Sequence, residues 1–188
     1  MPLQLEKKYR LLVFFYETPS NFSLYSLFVF PCRNYYQRPD DVCIYLDGSE
    51  ESILMTHFAR IAVSKLRPSS KTKLHAFYFK SDVSGSKGMT FFRDLCDRYD
   101  VEMRSLEYDK IDATCAIKHL IVSKPELRVL LVGKRSNGNG GEVYDNLTQL
   151  NDDSSVPVRV HYPLIDWSDE DITSFFSSLS LPYFVEET

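Results

Sequence analysis

The run Leu127-Arg128-Val129-Leu130-Leu131-Val132 constrains this chain more than any other stretch. It is almost uninterrupted leucine and valine, with no apolar–polar alternation. That pattern belongs to a central parallel strand covered on both faces. Further runs of strand type precede and follow it. Val42–Leu46 is a short apolar run, and Leu74–Phe79, Val101–Leu106 and Val158–His161 read as strands as well.

Helical patterns separate these runs. Glu50–Leu66 carries apolar residues at 54, 55, 58, 61, 62 and 66, with Glu50 and Glu51 in the first turn, where the helix dipole favours them. Lys87–Tyr99 sets Met89, Phe92, Leu95, Cys96 and Tyr99 on one face, and Ile111–Val122 sets Ile111, Cys115, Leu120 and Ile121 on one face. Ser168 opens the last helix as an N-cap with Asp171 three residues on; Ile172, Phe175, Phe176 and Leu179 form its apolar face, and Pro182 follows its end. Gly133–Pro157 is rich in Gly, Asn and Ser and is expected to be a long loop. Strand–helix alternation of this kind predicts an α/β, Rossmann-like parallel sheet with helices on both faces. Ligands in such sheets bind beyond the C-terminal strand ends, here the loops after Leu46, Phe79, Leu106 and Val132.

Composition narrows the function classes. The chain has 188 residues and 26 acidic against 22 basic side chains, a mildly acidic balance that favours neither nucleic acid nor an anionic membrane. No run approaches the roughly 20 apolar residues of a membrane-spanning helix. Glu6–Tyr16 lacks the pattern of a secretory leader, and Cys32, Cys43, Cys96 and Cys115 form no CxxC. Buried free thiols in a reducing compartment are the expectation, hence a cytoplasmic or nuclear protein. Residues 1–40, with the aromatic-rich stretch Phe14–Tyr36, read as a helical or irregular segment ahead of a domain at 41–188.

Three segments are candidates for chemistry. Leu46-Asp47-Gly48-Ser49-Glu50 is a turn between strand and helix whose backbone N–H groups suit a phosphate, but Glu50 and Glu51 set negative charge where a triphosphate would lie. An ordinary βα turn is the plainer reading. Gly133-Lys134-Arg135 ends the central strand, where Arg135 suits a phosphate and a solvated strand exit explains the two cations equally well. Tyr162–Ser168 holds the sole tryptophan, Trp167, expected to pack the last helix against the sheet while Asp166 bonds loop backbone. His57, His75, His119 and His161 lack metal-ligand spacing, no GxSxG is present, and no metal site is expected.

Taken in order, Val42–Leu54, Ala76–Ser81, Val129–Arg135 and Val158–Ile172 resemble the eukaryotic FAD synthase domain. That domain belongs to the phosphoadenosine-phosphosulfate reductase-like group of the PP-loop ATPases. The resemblance covers about residues 41–184 and is most specific at Pro163–Trp167, Asp171-Ile172 and Leu181-Pro182-Tyr183. It implies an adenine-nucleotide hydrolase-like fold and transfer of AMP from MgATP to FMN, giving FAD and pyrophosphate. It also implies nucleotide contacts at Asp47, Gly48, Ser49 and Glu50, and phosphate or flavin contacts at Gly133, Arg135, Asp166 and Trp167.

The chain departs from the family where catalysis resides. Asn-Gly-Gly-Lys-Asp is replaced by Leu46-Asp47-Gly48-Ser49-Glu50, losing a glycine and the lysine. In Gly-x-Arg-x-Thr-Asp-Pro only Gly133 and Arg135 are kept, with Ser136-Asn137-Gly138-Asn139 after them. The family continues past the Pro-Tyr pair into a Tyr/Gly-rich tail, whereas this sequence ends at Thr188. The expectation is a degenerate, catalytically impaired pseudoenzyme serving as a binding or scaffolding module, with a protein partner at the aromatic N-terminal segment. The alternative is an active FMN adenylyltransferase using ATP, Mg2+ and FMN, with Asp47 or Glu50 on the metal. Sulfonucleotide reduction is disfavoured because no cysteine lies beyond Cys115.

Overall fold

The computed structural model describes residues 35–68, 71–80, 85–107, 113–136 and 142–182. After a 3-10 turn at Pro39–Asp41, the elements are β1 (Val42–Tyr45), α1 (Glu50–Leu66), β2 (Leu74–Phe79), α2 (Gly85–Tyr99), β3 (Val101–Leu106), α3 (Ala113–Ser123), β4 (Val129–Val132), α4 (Glu142–Gln149), β5 (Arg159–His161) and α5 (Asp169–Leu179). All pairings are parallel, in the order β3-β2-β1-β4-β5. The α/β expectation holds, with β1 at the centre and β4 beside it. The chain leaves β1 toward β2 and returns to β4 on the other side, so the strand order reverses between these two.

Strand side chains alternate between two cores. Ile44, Leu46, Ala76, Tyr78 and Leu131 meet α1, α2 and α5 on one face. Cys43, Tyr45, Phe77, Phe79, Leu130 and Val132 meet α3 and α4 on the other. Tyr36 also lies in the first core, Tyr35 packs against it, and the Tyr35 hydroxyl lies 3.0 Å from His161 Nδ1. Phe14–Tyr36 otherwise falls outside the described residues, as does most of segment 1–40.

Several elements differ from their sequence expectations. Gly133–Pro157 is not loop throughout: α4 occupies Glu142–Gln149 and buries Leu147. The polar residues around it hide the spacing of Val143, Tyr144, Leu147 and Leu150. Helix α1 is buried from Ser52 to Val63 on every side rather than along one stripe. Met89 is 42% exposed and Cys115 is exposed, so neither belongs to the buried face expected of its helix. Cys43 is buried, and desolvation pushes its thiol up to about 12; Cys96 is intermediate, and Cys32 lies outside the described residues. No described helix is long and apolar enough to cross a membrane.

Burying α1 requires partners for its polar side chains. Arg60 donates from Nε to the Tyr99 carbonyl at 2.7 Å, from Nη1 to Thr72 at 2.9 Å and from Nη2 to Asp100 at 2.9 Å. It thereby holds the end of α2, where Asp100 adopts φ of 50°. His57 Nδ1 lies 3.1 Å from the Tyr99 hydroxyl, and burial, with the Arg98 cation adding, lowers its pKa to about 3. At the far edge, Asn151 Nδ2 donates to the Val160 carbonyl at 3.1 Å and its Oδ1 accepts from Val160 N–H at 2.8 Å. One side-chain amide thus pairs the outward backbone groups of β5.

Two predictions follow from these contacts. An unfolded His57 binds a proton near pH 6.5 and the native one only near 3, so its contribution is complete above 6.5 and lost as pH falls toward 3. Urea titrations should show His57→Gln removing up to about 1.4 kcal/mol per pH unit of acid sensitivity within that window. Asn151→Ala should cost about 1–3 kcal/mol in the same assay, because it strands two backbone groups of β5.

Candidate functional site

The reversal of strand order between β1 and β4 places two exits side by side: the β1–α1 turn and Gly133-Lys134-Arg135. Their proximity follows from Gly133. A Cβ there would lie 2.8 Å from Ser52 N and 2.9 Å from the Glu51 carbonyl carbon, so only glycine lets β4 run this close to the start of α1. Gly48 has φ of +88° and faces Phe92, whose ring would stand 3.3 Å from a Cβ. Asp47, Gly48, Ser49, Gly133 and Arg135 therefore stand at two adjoining strand exits, the crevice that a switch in strand order creates.

The polar groups of this crevice are engaged with one another. Asp47 Oδ1 accepts from Ser49 N–H at 3.0 Å and from the Ser49 hydroxyl at 2.6 Å, while Oδ2 accepts from the Tyr144 hydroxyl at 2.5 Å. Ser49 caps α1 by accepting from Ser52 N–H at 3.2 Å. Arg135, with 14% of its side chain exposed, donates from Nε to Glu51 Oε1 at 2.6 Å and from Nη1 to Asp169 Oδ1. Glu50 is exposed. The charge placed at the turn by Glu51 is thus met by Arg135 rather than left facing solvent.

Tyr144 is the participant that sequence reasoning missed, because its helix was read as loop. It sits edge-on to Tyr45 at 5.9 Å, with Lys134 Nζ 5.9 Å from its ring centroid and 3.7 Å from Asp145. Burial raises the Tyr144 phenol well above its usual range, and the Asp47 charge adds to this. Asp169 was read as part of the last helix and not as a site residue.

Asp166 and Trp167 lie at the edge of the arrangement. Ser136 N–H and hydroxyl donate to the Ile165 carbonyl at 2.9 and 2.6 Å, which ties the β4 exit to their turn. Trp167 stands 5.9 Å from Phe58 and 5.2 Å from Phe175, seating α5 on α1 rather than on the sheet. Asp166 is exposed, and the turn around it is held by backbone bonds, Ile165 N–H to Tyr162 and Trp167 N–H to Leu164. The Ser168–Asp171 capping box forms as expected, with Asp171 N–H donating to Ser168 Oγ at 3.1 Å.

The five-stranded order and its flanking helices superpose on solved structures. An FMN adenylyltransferase from Candida glabrata, in complex with FAD and inorganic pyrophosphate, matches at a TM-score of 0.65 with 16% identity, over 90% of this chain and 62% of that one. The chain has the fold of the FMN adenylyltransferases. Yeast FAD synthetase in complex with FAD matches at 0.61, with 14% identity over 90% of this chain and 65% of the other. Phosphoadenylyl-sulfate reductase from Candida auris, in a phosphate complex, matches at 0.52, with 8% identity over 76% and 74%. No protein-family model matches the sequence. This chain therefore spans about 62% of the length of the Candida glabrata enzyme.

The donors and acceptors at the start of α1 are bonded within the chain. Ser49 N–H and Ser52 N–H, which open α1, already bond side-chain oxygens, and Asp47 holds hydrogen bonds on both carboxylate oxygens. Among the described residues no group of three His, Cys, Asp or Glu side chains converges to hold a metal. The Gly133 contact is testable. Gly133→Ala forces a Cβ onto backbone atoms that cannot swing aside, and chemical denaturation should record a loss of about 1–3 kcal/mol.

Proposed function

We propose that this chain is a degenerate FAD synthase-like domain whose nucleotide crevice no longer supports adenylyl transfer, and that it serves as a binding or scaffolding module. The observation that carries the reading is the pairing of the crevice's donors with the chain's own carboxylates. Arg135 is engaged by Glu51 and Asp169, and the Ser49 donors by Asp47. Phosphoryl transfer depends on positioning and on cations aimed at developing negative charge. Here two carboxylates, Glu51 and Asp169, hold the Arg135 guanidinium, and no lysine stands in the turn.

The partner face in this reading is the aromatic N-terminal segment, and the compartment is the cytoplasm or nucleus. The fold shared with FMN adenylyltransferases favours a second reading, an active enzyme making FAD from FMN and MgATP. In it Arg135 leaves its carboxylates for a phosphate, Gly48 keeps the turn open, and Asp47 or Glu50 turns to Mg2+.

Incubation with FMN and MgATP, with FAD quantified by chromatography, separates the two. The expected result is FAD no higher than in a protein-free control, while yeast FAD synthetase run in parallel converts its substrate. FAD formation that Arg135→Ala abolishes would replace the first reading by the second.

A further inference from the structure

Arg135 has two carboxylate partners of opposite character. Glu51 belongs to α1 and is 17% exposed, so it forms the buried side of the arrangement, whereas Asp169 is 83% exposed. Asp169 is the first residue of α5, yet the cap of α5 does not use it. Ser168 and Asp171 complete the capping box between themselves. Nor does the seating of α5 hang on this ion pair. The aromatic contacts of Trp167 with Phe58 and Phe175, and the two Ser136 bonds to the Ile165 carbonyl, hold that region independently. The Asp169 carboxylate can therefore leave Arg135 without unfolding anything that has been described.

We propose that the Arg135–Asp169 ion pair is an autoinhibitory contact: Asp169 occupies the outer face of the guanidinium, which a phosphate-class anion entering the crevice would take. This rests on the second reading, in which Arg135 leaves its carboxylates for a phosphate, and adds how access to Arg135 is controlled. Glu51 holds Nε from the α1 side and Asp169 holds Nη1 from the exposed start of α5, so each carboxylate takes part of the guanidinium's capacity for an anion. An entering anion competes with Asp169 through the same charge-assisted geometry. An exposed carboxylate is a weak competitor, worth about fivefold in affinity or less. The inhibition is accordingly graded and easily reversed.

The test is titration of the full chain with inorganic pyrophosphate at low, fixed ionic strength, followed by calorimetry. The variants are Asp169→Asn, Glu51→Gln/Asp169→Asn and Arg135→Gln/Asp169→Asn, each first shown by circular dichroism to be folded. The expected result is that Asp169→Asn tightens binding about three- to fivefold over wild type. The double variant that frees both arms should bind tighter still, and loss of Arg135 should abolish the gain. Equal affinity of wild type and Asp169→Asn would overturn the autoinhibitory contact while leaving the crevice as a binding site. Absence of binding in every variant, including the one with Arg135 fully released, would overturn the proposal and remove the crevice as an anion site. Neither result depends on whether FAD is formed, so failure of this proposal and failure of the second reading remain distinct.

Discussion

The arrangement depends on a guanidinium carried into the interior. Helix α1 lies between α2, α5 and the sheet with no solvent-facing side across twelve residues, and such a helix needs internal partners for whatever polar groups it carries. Arg60 meets this requirement by bonding three backbone carbonyls around the end of α2 and the approach to β2. Of these, the Tyr99 carbonyl is a helix-terminal acceptor, the Thr72 carbonyl lies in the approach to β2, and the Asp100 carbonyl accepts from Leu74 N–H as well. One side chain thus ties the end of α2 to α1, the helix whose first turn borders the crevice.

Much of the fold was legible in the sequence because its strands are short apolar runs and its helices keep a regular apolar period. Val101–Leu106 and Glu50–Leu66 could be bounded to the residue, and so could the capping box at Ser168. What escaped reading had a physical reason in each case. Helix α4 is short and lies among Gly, Asn and Asp, so its four apolar positions are diluted below recognition. Met89 and Cys115 fit the helical period but stand at its margins, where period alone does not set depth. Burial of Thr56, His57 and Arg60 is decided by two neighbouring helices, which no local pattern encodes.

The site was legible in its parts and not in its pairings. Asp47, Gly48, Gly133 and Arg135 could be named as strand-end residues, and their convergence follows from parallel topology. That Glu51 would meet Arg135 instead of repelling a ligand depends on Gly133 allowing β4 to pass against the first turn of α1. Tyr144 reaches Asp47 across 97 positions of sequence. The negative charge that looked like an obstacle is therefore an internal counter-ion, and the crevice is closed by attraction as much as by repulsion.

The Asn151 amide has a consequence for how this molecule meets others. A parallel sheet can be extended by a partner's strand at either end, and here one end presents a side chain that already imitates a strand. Strand addition at the β5 edge is thereby blocked at Val160, whose outward N–H and C=O are both taken.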